Sequence, residues 1–183
     1  MRGLAFVLVV VLASSSSCGS GAPTCTGAAC ACSGDGCACS SGECAMSCSG
    51  ACQQICNANA TCTLTLGGGV TATCDNSATC SGTSGDGVTL TCSNSATCTL
   101  AAGARLTATC ESSSRCVLEG AAGASVRCQD SAKCDLTCKS PSCSIICSDS
   151  AECSCRGTGC GITCRFGNTV TCPDGTLVCG KSC

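Results

Sequence analysis

Cys74–Thr91 reads CDNSATCSGTSGDGVTLT, Cys92–Thr109 reads CSNSATCTLAAGARLTAT, and Cys110–Arg127 reads CESSSRCVLEGAAGASVR. Each unit opens on a cysteine, carries a second six residues later, and reaches the next unit after twelve more. The rhythm covers Cys56, Cys62, Cys74, Cys80, Cys92, Cys98, Cys110, Cys116, Cys128 and Cys134 without a gap. A fixed period near 20 residues is the mark of a repeat array, in which each unit stacks on its neighbours. Outside this region the period slips by one: Cys134 to Cys153 is 19 and Cys147 to Cys164 is 17. Turns absorb such slips, so the spacing predicts eight or nine units in one domain.

The units alternate with a period of two. Across residues 70–138, even-numbered positions carry Val70, Ala72, Cys74, Val88, Leu90, Cys92, Cys98, Leu100, Leu106, Ala108, Cys110, Leu118, Val126, Cys128 and Leu136. Odd-numbered positions carry Thr71, Thr73, Thr89, Thr91, Arg105, Thr107, Thr109, Glu111, Arg115, Arg127 and Lys133. Alternate side chains of a strand share a face, and an even period returns every coil in phase. A helix would show a 3.6-residue period and would be disfavoured by this Gly, Thr and Ser content. The pattern predicts an all-β chain, a disulfide-rich parallel β-solenoid (β-helix) with 18-residue coils. Three six-residue sides would fill such a coil. The handedness stays open, because the aliphatic residues do not head each hexad as they do in left-handed hexapeptide β-helices. Ser140–Cys143 shifts the inward parity to Cys143, Ile145 and Cys147, and Phe166, Val170 and Cys172 restore it. Asn76 and Asn94 fall on the inward parity and could stack as a hydrogen-bonded ladder.

Cysteine makes up 29 of 183 residues, while Trp and Tyr are absent and Phe occurs twice. Such a core buries little apolar surface, so cross-links must offset chain entropy. Cysteines stacked in successive coils have parallel Cβ vectors about 4.8 Å apart, against the roughly 3.8 Å that a disulfide needs. Cysteines six apart in one coil can face each other across a thin core. The expected bridges are therefore Cys56–Cys62, Cys74–Cys80, Cys92–Cys98, Cys110–Cys116 and Cys128–Cys134. The denser cysteines of 25–55 and 139–183 are expected to cap the two ends.

The N-terminus reads as a targeting signal. Met1–Arg2 gives a positive start, and Leu4–Ala13 is a ten-residue apolar run, too short to span a bilayer as a helix. Ser16–Ser17–Cys18 then resembles the end of a bacterial lipoprotein signal, with Ser15 where such signals carry an aliphatic residue. The resemblance implies lipidation at Cys18, a membrane partner through the lipid, and an envelope, outer-membrane or cell-surface location. The alternative is an ordinary secretory signal. Removing Cys18 leaves 28 cysteines, an even number for pairing. The expected divisions are 1–17 signal peptide, 18–24 anchor and linker, 25–55 N-terminal cap, 56–138 regular repeats, and 139–183 irregular coils and cap.

Function is less legible. The net charge is −2, and residues 3–104 carry no Lys or Arg, so no nucleic-acid partner is expected. The chain has no His and no Tyr; no catalytic residue, cofactor or metal site is expected, and the chain reads as non-catalytic. Ser84–Gly87 and Ser33–Gly36, faintly similar to calcium-binding nonapeptide repeats, read as turns. Outward Thr-x-Thr steps at Thr71/Thr73, Thr89/Thr91, Thr107/Thr109 and Thr169/Thr171 resemble the ice-binding face of insect-type antifreeze solenoids. The resemblance implies ice binding, although Ser125 and Arg127 break the column and Thr is in any case a good outward strand residue. Cys30-x-Cys32, Cys37-x-Cys39 and Cys153-x-Cys155 resemble metallothionein composition, which implies soft metals held by thiolates. An exported chain instead meets an oxidising compartment, where thiols pair. The leading expectation is a structural or surface repeat protein serving adhesion, display or envelope structure. Its surface ligand is unknown: ice, a carbohydrate or a protein.

Overall fold

The computed structural model describes residues 22–183. The expected signal segment and Cys18 lie outside the described residues. The described chain is all-β, with 19 strands and no helix.

Each regular coil is built from two strands and two turns. The longer strands are β4 (Glu43–Cys48), β6 (Thr61–Leu66), β8 (Thr79–Ser84), β10 (Thr97–Ala102), β12 (Arg115–Gly120), β14 (Lys133–Cys138) and β16 (Glu152–Gly157). The shorter ones are β3 (Gly36–Cys39), β5 (Gln53–Cys56), β7 (Thr71–Cys74), β9 (Thr89–Cys92), β11 (Thr107–Cys110), β13 (Ser125–Cys128), β15 (Cys143–Cys147) and β17 (Cys160–Cys164). Long strands stack in parallel on long ones, and short on short, giving two sheets that face each other across the core. The result is a parallel β-solenoid of about seven turns.

The coil is two-sided, which corrects the expectation of three six-residue sides. A six-residue strand, a four-residue turn, a four-residue strand and a second four-residue turn fill the 18 residues. In the second turn of three coils, both central residues have positive φ: Ala58 and Asn59, Asn76 and Ser77, Asn94 and Ser95. The next residue then bonds back, as in Ala78 N to Asp75 O at 3.2 Å. This left-handed pair reverses the chain sharply and suspends the two-residue alternation. Asn76 and Asn94 therefore project into solvent, and the expected inward asparagine ladder is absent from these turns. Both amides instead bind Asp75, Asn76 Nδ2 to Oδ2 at 2.9 Å and Asn94 Nδ2 to Oδ1 at 2.8 Å.

The first turn carries one left-handed residue per coil: Gly69, Gly87, Arg105, Gly123 and Ser142. Glycine suits this position because it has no Cβ to clash. Arg105 occupies it at φ 57°.

The core is the even-parity set. Leu64, Leu100, Leu118 and Leu136 are buried from the long sheet, and Ala72, Leu90, Ala108, Val126 and Ile145 from the short one. The parity change at Ser140–Cys143 is present, with Cys143, Ile145 and Cys147 inside. Phe166 and Val170 are the exception, at 65% and 47% exposure. They lie beyond β17, where the chain leaves the coil rhythm, so the return of parity expected there applies to Cys172 alone.

Antiparallel strands cover three of the four sheet ends. β1 (Thr24–Thr26) pairs with β4, β2 (Cys30–Ser33) with β3, and β19 (Leu177–Cys179) with β16, while β18 (Val170–Thr171) pairs with β19. Ser33–Gly36 is the hairpin turn between β2 and β3, and Ser84–Gly87 turns the chain from β8 towards β9.

Candidate functional site: two hydroxyl faces and a disulfide column

Parallel register sets the outward residues in ranks. Thr71, Thr89 and Thr107 are register partners, as are Thr73, Thr91 and Thr109. The first three are exposed and the second three half-buried. Successive ranks stand about 4.8 Å apart and the two columns about 6.6–6.8 Å apart, from strand spacing and twice the rise per residue. Gln53 and Ile55 bound the grid on one side, Ser125 and Arg127 on the other. Thr169 and Thr171 lie outside it. Thr171 belongs to β18 on the opposite sheet, and Thr169 approaches the Cys164 sulfur at 3.3 Å.

A larger grid, missed from sequence, covers the long-strand sheet. β6 presents Thr61, Thr63 and Thr65; β8 presents Thr79, Ser81 and Thr83; β10 presents Thr97, Thr99 and Ala101. Eight of these nine outward side chains are hydroxyls. The available signal was the TCTLTL and TCTLAA runs, whose first threonine adjoins the turn. At Gly82 the inward column has no side chain: a Cβ there would run into the carbonyl oxygen of Leu64.

Beyond β10 the same face becomes charged. Lys133 Nζ lies 3.0 Å from Glu152, Lys139 Nζ 3.2 Å from Glu119, Arg115 Nη2 3.7 Å from Asp135, and Lys181 Nζ 3.0 Å from Asp135. Burial alone would raise the Asp135 carboxyl. Hydrogen bonds from Ser154 and Lys181, with the Lys181 and Arg115 charges, outweigh it and hold the group below its ordinary 3.8. Asp75 is likewise held low: desolvation opposes ionisation, but hydrogen bonds from Ser93, Asn94 and Asn76 prevail.

Inside, the sulfurs form a column. Cys56–Cys62, Cys74–Cys80, Cys92–Cys98, Cys110–Cys116 and Cys128–Cys134 are bonded, with Cα atoms 6.2–6.5 Å apart, and Cys147–Cys153 continues the series. Each bridge clamps the end of a short strand to the start of the next long one. Trios such as Cys92, Cys98 and Cys116 bring sulfurs within 4.8 Å of one another. Cys92 is bonded to Cys98 and Cys116 to Cys110, so that trio offers no thiolate to a metal. All six C-x-C cysteines that suggested metal binding are tied up in the same way, in Cys25–Cys30, Cys32–Cys37, Cys39–Cys44, Cys147–Cys153 and Cys155–Cys160.

The grids can accept and donate hydrogen bonds to an ordered, repetitive surface. Neighbours within each grid are other neutral side chains, so nothing in them activates one hydroxyl over the rest. No family model matches the chain, and neither a curated protein nor a solved structure matches it at the significance required.

Proposed function

We propose that this chain is an exported, non-catalytic structural or surface repeat protein, held to a membrane by a lipid on Cys18 and serving adhesion, display or envelope structure. The observation that carries the reading is the column of within-coil disulfides, which suits an oxidising compartment and a rod that must persist outside the cell. The apolar run and small residues before Cys18 support the anchor. Nucleic acid is not a partner in this reading, because residues 3–104 carry acids but no Lys or Arg to meet phosphate. Fractionating cells that express Cys18→Ser beside the parent, with fatty-acid labelling, tests the anchor. Loss of label and release from the membrane are expected. A labelled, membrane-bound Cys18→Ser protein would refute it.

A second reading, ice binding, is favoured by one observation: two uncharged hydroxyl grids with uniform rank spacing. Thr89→Lys with Thr107→Lys breaks one face, and Thr63→Lys with Thr99→Lys the other. Under this reading one pair abolishes ice shaping and the other spares it. If the parent does not shape ice, the reading fails.

A further inference from the structure

Among the described residues, twenty-six cysteines form thirteen disulfides and two remain thiols, Cys138 and Cys143, both buried. They flank residues 139–142, the turn from β14 to β15. The parallel register leads from them to a bonded pair elsewhere in the rod. Cys138 is the partner of Gly120, and the same inward column runs through Ala102, Ser84 and Leu66 to Cys48. Cys143 precedes Ser144 at the entry to its short strand. The corresponding residues below it are Ala124, Leu106, Val88, Val70 and Cys52. Cys48 and Cys52 are joined. The same two corner positions thus hold a disulfide in one coil and a dithiol five coils on, where the intervening loop has four residues instead of three.

The two thiols share one corner of the coil: Cys143 Sγ lies 3.6 Å from the carbonyl oxygen of Gly120, the register partner of Cys138. Cys143 Sγ also faces the carbonyls of Ala121 and Ser140, each at 3.5 Å. A third sulfur completes the cluster: Cys138 Sγ lies 2.9 Å from Cys160 Sγ. Cys160 is stacked on Cys143 in register and bonded to Cys155. Strands β14 and β15 are fully paired on both sides while the thiols are unbonded, so the strand pairing on either side of the turn is complete without this bridge.

We propose that Cys138 and Cys143 are a redox-reversible dithiol, the fourteenth disulfide of the oxidised rod and the one that opens and closes without unfolding it. The co-reactant is a disulfide oxidant, RSSR, of the exporting compartment. One thiolate attacks RSSR, forming a mixed disulfide and expelling RS⁻. The other thiolate then attacks the protein sulfur of that mixed disulfide, forming Cys138–Cys143 and expelling the second RS⁻. Two thiols are oxidised, one RSSR is reduced, and the two protons leave on two RSH. Cys160 offers a competing exchange with no net oxidation: Cys138 attacks Cys160 and expels the Cys155 thiolate, which takes up the proton. Burial, together with the adjacent Cys143 sulfur, pushes the Cys138 thiol up to about 12. Steps that use its thiolate quicken as pH rises towards that value.

The test uses the purified full-length protein incubated with oxidised glutathione at pH 8.5, quenched in acid, alkylated in denaturant and mapped by peptide mass. A Cys138–Cys143 cross-linked peptide is expected. Stepwise dithiothreitol should then label Cys138 and Cys143 before the equally buried Cys56–Cys62 series, with the far-ultraviolet circular dichroism unchanged at that step. Cys138 and Cys143 still alkylatable after oxidation would overturn the proposal, as would a Cys138–Cys160 cross-link with label on Cys155. So would their reduction only together with the Cys56–Cys62 series. The Cys138→Ser, Cys143→Ser double variant should keep the parent spectrum and lack the early two-label step. Loss of the parent spectrum in that variant, which would make the pair a requirement of the fold, equally overturns the proposal.

Discussion

Lys181 donates a 3.0 Å hydrogen bond to Asp135 Oδ1 and so ties the end of the chain to β14, 46 residues away. Asp135 also receives Ser154 from β16, which places one carboxylate between two coils and the C-terminal cap. Because the folded-state pKa of Asp135 is depressed below 3.8, its contribution is fully present above that pH. It is lost as the pH falls through the folded value. We expect the amides of residues 177–179 to gain hydrogen exchange below about pH 3.8, the ordinary value of the group. Lys181→Met should weaken the cap by about 1 kcal/mol at neutral pH, the scale of a partly exposed pair.

The disulfide column sets most of the expected resistance to denaturant. Closing a loop of six to seven residues restricts the unfolded chain by about 2.3 kcal/mol. Replacing Cys92 and Cys98 together with serine should lower stability by about that amount, read as a shift in guanidinium midpoint. An unchanged midpoint would mean that the bridge does not constrain the unfolded chain.

Leu118 is buried between its register partners Leu100 and Leu136. With no large aromatic nearby to fill a void, Leu118→Ala should cost about 2–5 kcal/mol. Thr99→Ala, outward on the neighbouring strand, should shift the same midpoint by less than about 0.5 kcal/mol. Equal losses would argue against the inward and outward assignment.

Arg105 is a non-glycine in the column otherwise held by Gly69, Gly87, Gly123 and Ser142. A left-handed residue with a Cβ costs about 1–2 kcal/mol, part of which glycine returns as unfolded-state entropy. Arg105→Gly should therefore leave stability unchanged or raise it by up to about 1 kcal/mol in thermal unfolding under partial denaturant.

Much of this was legible because the coil length is even. Cys74, Val88, Leu90 and Leu106 share a parity, and an 18-residue coil brings that parity back to the same side. The two-sided cross-section was not legible. It depends on left-handed pairs such as Asn76 and Ser77, which suspend the alternation that a parity count assumes. The same lapse sent Asn76 and Asn94 outward; the second hydroxyl grid, by contrast, was legible and missed, since Thr61, Thr79 and Thr97 keep the outward odd parity on the far side of each turn. Phe166 and Val170 escaped because antiparallel caps obey no coil period. The dithiol at Cys138 and Cys143 was hidden for a related reason. Its kinship to Cys48–Cys52 is a matter of register across five coils, and the two pairs differ in spacing along the chain.

A non-reducing peptide map of the native protein, digested in acid to prevent exchange, tests the stapled solenoid most directly. The expected result is Cys56–Cys62, Cys74–Cys80, Cys92–Cys98, Cys110–Cys116, Cys128–Cys134 and Cys147–Cys153, each bridge contained within one turn of the chain. Bridges between stacked equivalents such as Cys74 and Cys92, or free thiols throughout this series, would contradict it.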